Sequence, residues 1–125
     1  MIVRLSGQLP TISGAVVHAG VIYTAGIVAP SVLTGAPTGI AEQAAEVLDL
    51  LDDVLHQAGG ELASTLRVEA YLADPADMQV WNAAFTAKWP VAPPARTTVA
   101  LTLAAPGALI EVQAIAAVTH APSSG

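Results

Sequence analysis

Apolar residues recur along this chain at two spacings, and each spacing assigns a kind of element. Residues 15–25, AVVHAGVIYTA, hold two β-branched runs around Ala19-Gly20 and predict two strands joined by a tight turn. The next stretch, GIVAPSVLTGAPT, is so rich in Gly, Pro, Ser and Thr that it predicts a loop. Between Gly39 and Ala58 the apolar positions Ile40, Ala44, Val47, Leu48, Leu51, Val54 and Leu55 follow helical spacing, while Glu42, Glu46, Asp49, Asp52 and Asp53 mostly take the other face. Gly59-Gly60 supplies the stop. In LRVEAYL the alternation returns, with Leu66, Val68, Ala70 and Leu72 on one side and Arg67, Glu69 and Tyr71 on the other, as in a half-buried strand. Asp74-Pro75 with Asp77 opens a second helix, since a carboxylate can cap and proline suits the first helical position. Met78, Trp81, Asn82, Phe85 and Trp89 then share a face, and Pro90, Pro93 and Pro94 end the helix.

The segment PARTTVALTLAAPGALIEVQAIAA, Pro94 to Ala117, predicts strands over residues 97–103 and 109–119 around Ala104-Ala105-Pro106-Gly107-Ala108. If these form a hairpin with Leu103 facing Leu109, Arg96 falls opposite Ala116 and Glu111 opposite Leu101. Five residues of strand span about 17 Å, too far for the two charges to meet within the hairpin. The order of strands, helix, strand, helix and strands makes an α+β fold with the helices on one sheet face. Both closing strands are apolar on both sides, so the face without helices should meet other subunits.

Composition supports association. Of 125 residues, 54% are hydrophobic and only 11% charged, yet Pro, Gly or charge interrupts every apolar run before the ~20 residues a membrane span needs. One domain is expected over residues 1–119, with a disordered tail over 120–125. The N-terminal MIVRLSGQLP has no leader pattern, which makes the cytoplasm the default compartment. A net charge of -6 disfavours nucleic acid as a partner. With no cysteine there is neither a thiol nucleophile nor a thiolate metal site, and His18, His56 and His120 are scattered without metal-ligand spacing. The helical spacing of Trp81, Phe85 and Trp89 favours core packing over a ligand box.

Two residues resist the hydrophobic pattern. Taken alone, Arg96 at a strand start suits a solvated surface position, and Glu111 among Leu109, Ile110 and Val112 suits an outward position on an edge strand equally well. A carboxylate taken out of water costs several kcal/mol unless it is paired or hydrogen-bonded. The alternative is a site shared across a subunit boundary. There an arginine offers a substrate carboxylate two parallel donors, and a glutamate orients or deprotonates a water.

The motif PARTTV followed by LIEVQAIA resembles the PARxxV and IEIEAIA signatures of the RidA/YjgF (UK114-like) family of reactive intermediate deaminases, with the same spacing from Arg to Glu. YTAGIVAP, EQAAEVLDLLDDVLHQAGG and VEAYLADPADMQVWNAAF extend the likeness over nearly the whole chain. The resemblance implies a chorismate-mutase-like fold with a mixed six-stranded sheet, two helices on one face and a homotrimer around a central barrel. It further implies cofactor-independent hydrolysis of small 2-imino or 2-enamino acids to 2-oxo acids and ammonia, in clefts at the subunit boundaries. Arg96 would bind the carboxylate and Glu111 would position water, with Ser13, Ala25, Gly26, Ile27 and Thr98 as the substrate-binding set and no metal. This chain departs from the family pattern in three places: Thr11-Ile12-Ser13 where active members often carry Tyr, Ala25-Gly26 for Ser-Gly, and Thr98 for a frequent Cys. A non-catalytic trimer that binds small carboxylates or partner proteins is the alternative function, and an endoribonuclease is a poorer third because basic residues are not clustered.

Overall fold

The computed structural model of the protein describes residues 1–122. Strands β1 (Val3–Ser6), β2 (Ser13–His18), β3 (Val21–Thr24) and β4 (Ile27–Val28) lead to a one-turn helix, α1 (Pro30–Leu33), and the long α2 (Ile40–Ala58). Then come β5 (Thr65–Leu72), α3 (Met78–Lys88), β6 (Ala95–Ala100) and β7 (Ile110–Ala117). They form one mixed sheet in the order β1-β2-β3-β7-β5-β6, with β4 also on β7, so α2 and α3 cover one face and an α+β fold results. Seven strands occupy six sheet positions because β3 and β4 share the same edge of β7.

Local sequence accounts for several elements. Ala19 and Gly20, at φ 51° and 79°, make the tight turn between β2 and β3, a geometry whose twist suits a two-residue hairpin. Gly59 ends α2 at φ 96°, and the Gly60 N–H donates to Leu55 O at 2.8 Å. Asp74 Oδ1 accepts from the Ala76 N–H at 2.9 Å and opens the short turn that feeds α3. Against the helices lie Ile22, Val68, Leu72, Ile110 and Val112, which with Leu48, Leu51, Leu55 and Trp81 form a fully buried core.

The hairpin expected between the last two strands does not form. β5 lies between them, parallel to β6 and antiparallel to β7. Residues 101–109 straddle the end of β5: the Leu101 N–H donates to Leu72 O and the Ala73 N–H to Leu109 O. The β5-α3-β6 crossover and the pairing with β7 together satisfy both edges of β5, an arrangement that adjacent-strand reasoning cannot see. Arg96 accordingly pairs with Val68, and Glu111 with Tyr71 and Val28. The first of these strands also ends earlier than expected, at Ala100.

Other differences are smaller. β1 lies where no strand is expected, and the loop expected after Ala25 contains β4 and α1. Leu66 is the extra residue where the β5–β7 register shifts, and it is 51% exposed rather than aligned with Val68. At the chain end, the Thr119 and His120 N–H groups both donate to Gly59 O, while residues 123–125 of the expected tail lie outside the described residues.

Candidate active site

Glu111 stands on the sheet face that carries no helix. Its strand pairs Val112 with Ile27 and Ala70 on the helix side, which turns Glu111, Tyr71 and Val28 to the opposite side. Between β3 and β4 the chain holds one residue more than β7 does opposite it, since Tyr23 pairs with Ile115 but Ile27 with Val112. At this bulge Thr24 Oγ1 takes the Ala114 N–H at 2.9 Å, a bond the ladder would otherwise supply. The bulge brings Gly26 under the Glu111 carboxylate. A Cβ at Gly26 would overlap Glu111 Oε2 and stand 3.0 Å from its Cδ, so the glycine is what permits the approach.

Around this carboxylate is a cleft of about 440 Å³. Its walls are Gly7–Leu9 and Ile12 from the β1–β2 loop, Ala25-Gly26 and Val28, Leu33 of α1, and Ala104-Ala105 before β7. Gln8 is already engaged, with Nε2 donating to Val28 O at 2.8 Å and Oε1 accepting from Val28 N–H at 3.3 Å. Among the described residues none donates a hydrogen bond to the Glu111 carboxylate. The cleft therefore presents one carboxylate in largely apolar surroundings.

Beside it on the same face is a satisfied polar group. Glu69 accepts from Gln113 Nε2 at 2.8 Å, from Arg67 Nε at 3.1 Å and from the Tyr71 hydroxyl at 2.9 Å. These bonds, the Gln113 one foremost, hold the Glu69 carboxyl below its ordinary range, and the bond to Glu69 raises the Tyr71 phenol. This cluster is internally matched, whereas the Glu111 carboxylate accepts no hydrogen bond from the described residues.

Arg96 lies elsewhere, on the edge strand β6 and on the helix-covered face. Its Nη2 donates to Asn82 Oδ1 at 2.8 Å, and its guanidinium lies 4.8 Å from the Phe85 ring centre and 5.9 Å from that of Trp81. The side chain is thereby held while most of its N–H groups remain open at an exposed position. In register terms Arg96 and Glu111 are three residues and two strands apart, roughly 14 Å between Cα atoms, and on opposite faces. One chain cannot bring them together.

Of the substrate-binding set expected from the sequence, Ala25 and Gly26 line the Glu111 cleft. Ile27 is buried toward α2, and Thr98 faces α3 and accepts from Trp81 Nε1 at 3.1 Å. Ser13 lines an adjoining depression with Arg4, Ser6 and Thr11. The aromatic trio belongs to the helix packing, with Phe85 in contact with both Trp81 and Trp89. Leu33 and Ala104-Ala105 were not legible as cleft residues, because nothing local marks a leucine in a loop as a wall. Among the described residues no three His, Cys, Asp or Glu side chains converge as a metal site.

Comparison with known proteins agrees with this architecture. The profile of the family described as Endoribonuclease L-PSP matches residues 10–118. The protein mmf2, mitochondrial, of Schizosaccharomyces pombe is 34% identical over 106 residues, 82% of this chain and 84% of that protein. A YjgF family member from Neisseria meningitidis superposes with a TM-score of 0.82 at 32% identity, over 97% of this chain and 98% of that one. RidA from an Antarctic Psychrobacter superposes with a TM-score of 0.80 at 26% identity, over 86% and 89% of the two chains. The yeast relative's name sets a mitochondrial protein beside the cytoplasmic default, so likeness alone assigns no compartment; no helix among the described residues is long and apolar enough to cross a membrane. The profile match and the identity to these relatives place this chain in the endoribonuclease L-PSP family, also known as the YjgF/RidA family.

Proposed function

We propose that this protein hydrolyses small 2-imino or 2-enamino acids to 2-oxo acids and ammonia, in a cleft completed by a second copy of the chain. The observation that carries this reading is Glu111, an unengaged carboxylate held over Gly26 in an apolar cleft. Arg96 of the adjoining subunit binds the substrate carboxylate through two parallel N–H groups. Water, with its proton passing to Glu111, adds to the C=N carbon, and the imine nitrogen gains a proton. The carbinolamine then collapses: its hydroxyl proton passes to the nitrogen by way of Glu111, its C–N bond breaks, ammonia leaves and the C=O bond forms. No oxidation state changes, so the scheme calls for no redox cofactor. A second copy is needed because the two groups stand on opposite faces of one sheet, and the homotrimer implied by the family resemblance would supply it.

A chain that binds small carboxylates without turning them over is the second reading. It is favoured by Ala25, which gives the cleft a methyl where a hydroxyl would hold a ligand. Ammonia release from freshly generated 2-iminopropionate separates the two. Turnover by the wild type, abolished in Glu111→Gln and accompanied by a raised KM in Arg96→Ala, supports the hydrolase. Pyruvate binding that depends on Arg96, with no turnover of several imines, establishes the binder instead.

A further inference from the structure

Gln43 is fully buried in the core, and its amide sits where the helical pattern calls for an apolar residue. All its hydrogen-bonding directions lead away from its own helix. Nε2 donates to Thr38 O at 2.8 Å and to Gly107 O at 3.0 Å, and Oε1 accepts from the Leu109 N–H at 2.9 Å. One amide therefore joins two segments that no secondary structure connects: the loop after α1, which ends at Thr38, and the turn of residues 104–109.

Both segments serve the Glu111 cleft. Leu33, the last residue of α1 and the one that leads into the first, and Ala104-Ala105, on the second, are walls of it. The segments also touch each other, for Gly107 at φ 86° faces Pro37 so closely that a Cβ there would lie 3.1 Å from Pro37 Cγ. Leu109 is the residue before β7, and its backbone is fixed on both sides, its N–H by Gln43 and its carbonyl by the Ala73 N–H. Two residues on stands Glu111. A second helix residue, one turn along, tightens the same loop: Glu46 accepts from the Ser31 N–H at 3.0 Å, the Ser31 hydroxyl at 2.8 Å and the Thr38 hydroxyl at 2.7 Å.

We infer that Gln43 is a positioning residue for the Glu111 cleft: its amide clasps the two wall segments together and fixes the start of the strand that carries Glu111. A methyl-for-amide change of similar volume would fill the space but leave two carbonyls and one N–H without partners, so the segments would part to reach water. Its kinetic consequence rests on the hydrolase reading above, whereas its structural consequence does not.

The test is Gln43→Leu, with Gln43→Glu as a second variant that keeps the acceptor for the Leu109 N–H and loses both donor bonds. Amide hydrogen exchange of the folded protein should quicken in peptides covering residues 30–38 and 101–111, and stay unchanged in those covering the middle of α2 and β5. A shift of about 1 Å at a reacting group can cost on the order of a hundredfold in rate, so kcat/KM on 2-iminopropionate should fall at least tenfold in Gln43→Leu. In Gln43→Glu the strand start is retained, so KM should rise while kcat holds. Exchange that quickens uniformly, or not at all, overturns the clasp. Localised exchange with kcat and KM both at wild-type values overturns the positioning role. If the wild type itself lacks turnover, the hydrolase reading falls, and the exchange pattern alone decides whether Gln43 holds the walls.

Discussion

Replacing Gly26 with alanine tests whether the Glu111 carboxylate works where it stands. Gly26 is not among the glycines with positive φ, so the backbone accepts alanine and only space decides the outcome. The added methyl would overlap Glu111 Oε2 and press on Cδ at 3.0 Å and Cγ at 3.4 Å. The far end of a half-exposed side chain can yield by rotating, at a cost of about 0.5–1.5 kcal/mol if it leaves its rotamer well. Against this, alanine restricts the unfolded chain and returns about 0.4–1 kcal/mol. The two nearly cancel, and a residual of about 1 kcal/mol moves the midpoint of a chain this size by roughly 3–6 °C. Catalysis has no such compensation, because a base displaced by an ångström or more from its water costs on the order of a hundredfold. Thermal melting and ammonia release measured on the same preparation should therefore give a near-native Tm with kcat/KM down by about two orders of magnitude. A variant with kcat/KM within twofold of wild type would refute the assignment of the carboxylate's position to catalysis. A collapse of the melting point would refute the claim that the side chain can yield.

Two further outcomes concern the fold. Leu51→Ala, at a fully buried site on the α2 face that meets the sheet, should lower the unfolding free energy by about 2–5 kcal/mol in urea titrations, with the slope unchanged. Glu69 has its folded value held below the ordinary 4.5 by Gln113, Arg67 and Tyr71, so its contribution is present above that value and lost as pH falls through the folded value. Urea midpoints at pH 6 and at about pH 3.5 should accordingly fall less in Glu69→Gln than in wild type; equal falls would show that the network does not favour the charged form.

What the sequence could show followed the range of the interactions involved. The α2 stripe, the Ala19-Gly20 turn, the Gly59 stop and the Asp74 cap are set by residues within a few positions of one another, and each stands where the pattern puts it. The closing hairpin failed because β5, some thirty residues earlier, supplies both neighbours, and no feature of PARTTVALTLAAPGALIEVQAIAA announces that choice. Yet the conclusion drawn from the hairpin, that Arg96 and Glu111 cannot meet within one chain, holds for a different reason: they stand on opposite faces. Gln43 went unremarked within the apolar stripe, because a lone glutamine there becomes a buried clasp only once its two distant partners are placed.

The exposed strand β6 has a consequence for how a lone chain behaves. ARTTVA presents an outer row of backbone N–H and C=O groups, with Arg96 its only charge and no proline after Pro94 to blunt it. Such an edge will pair with whatever extended segment reaches it first. A lone chain therefore carries a template for strand addition wherever it goes, and the more chains share a volume, the more often that template is met.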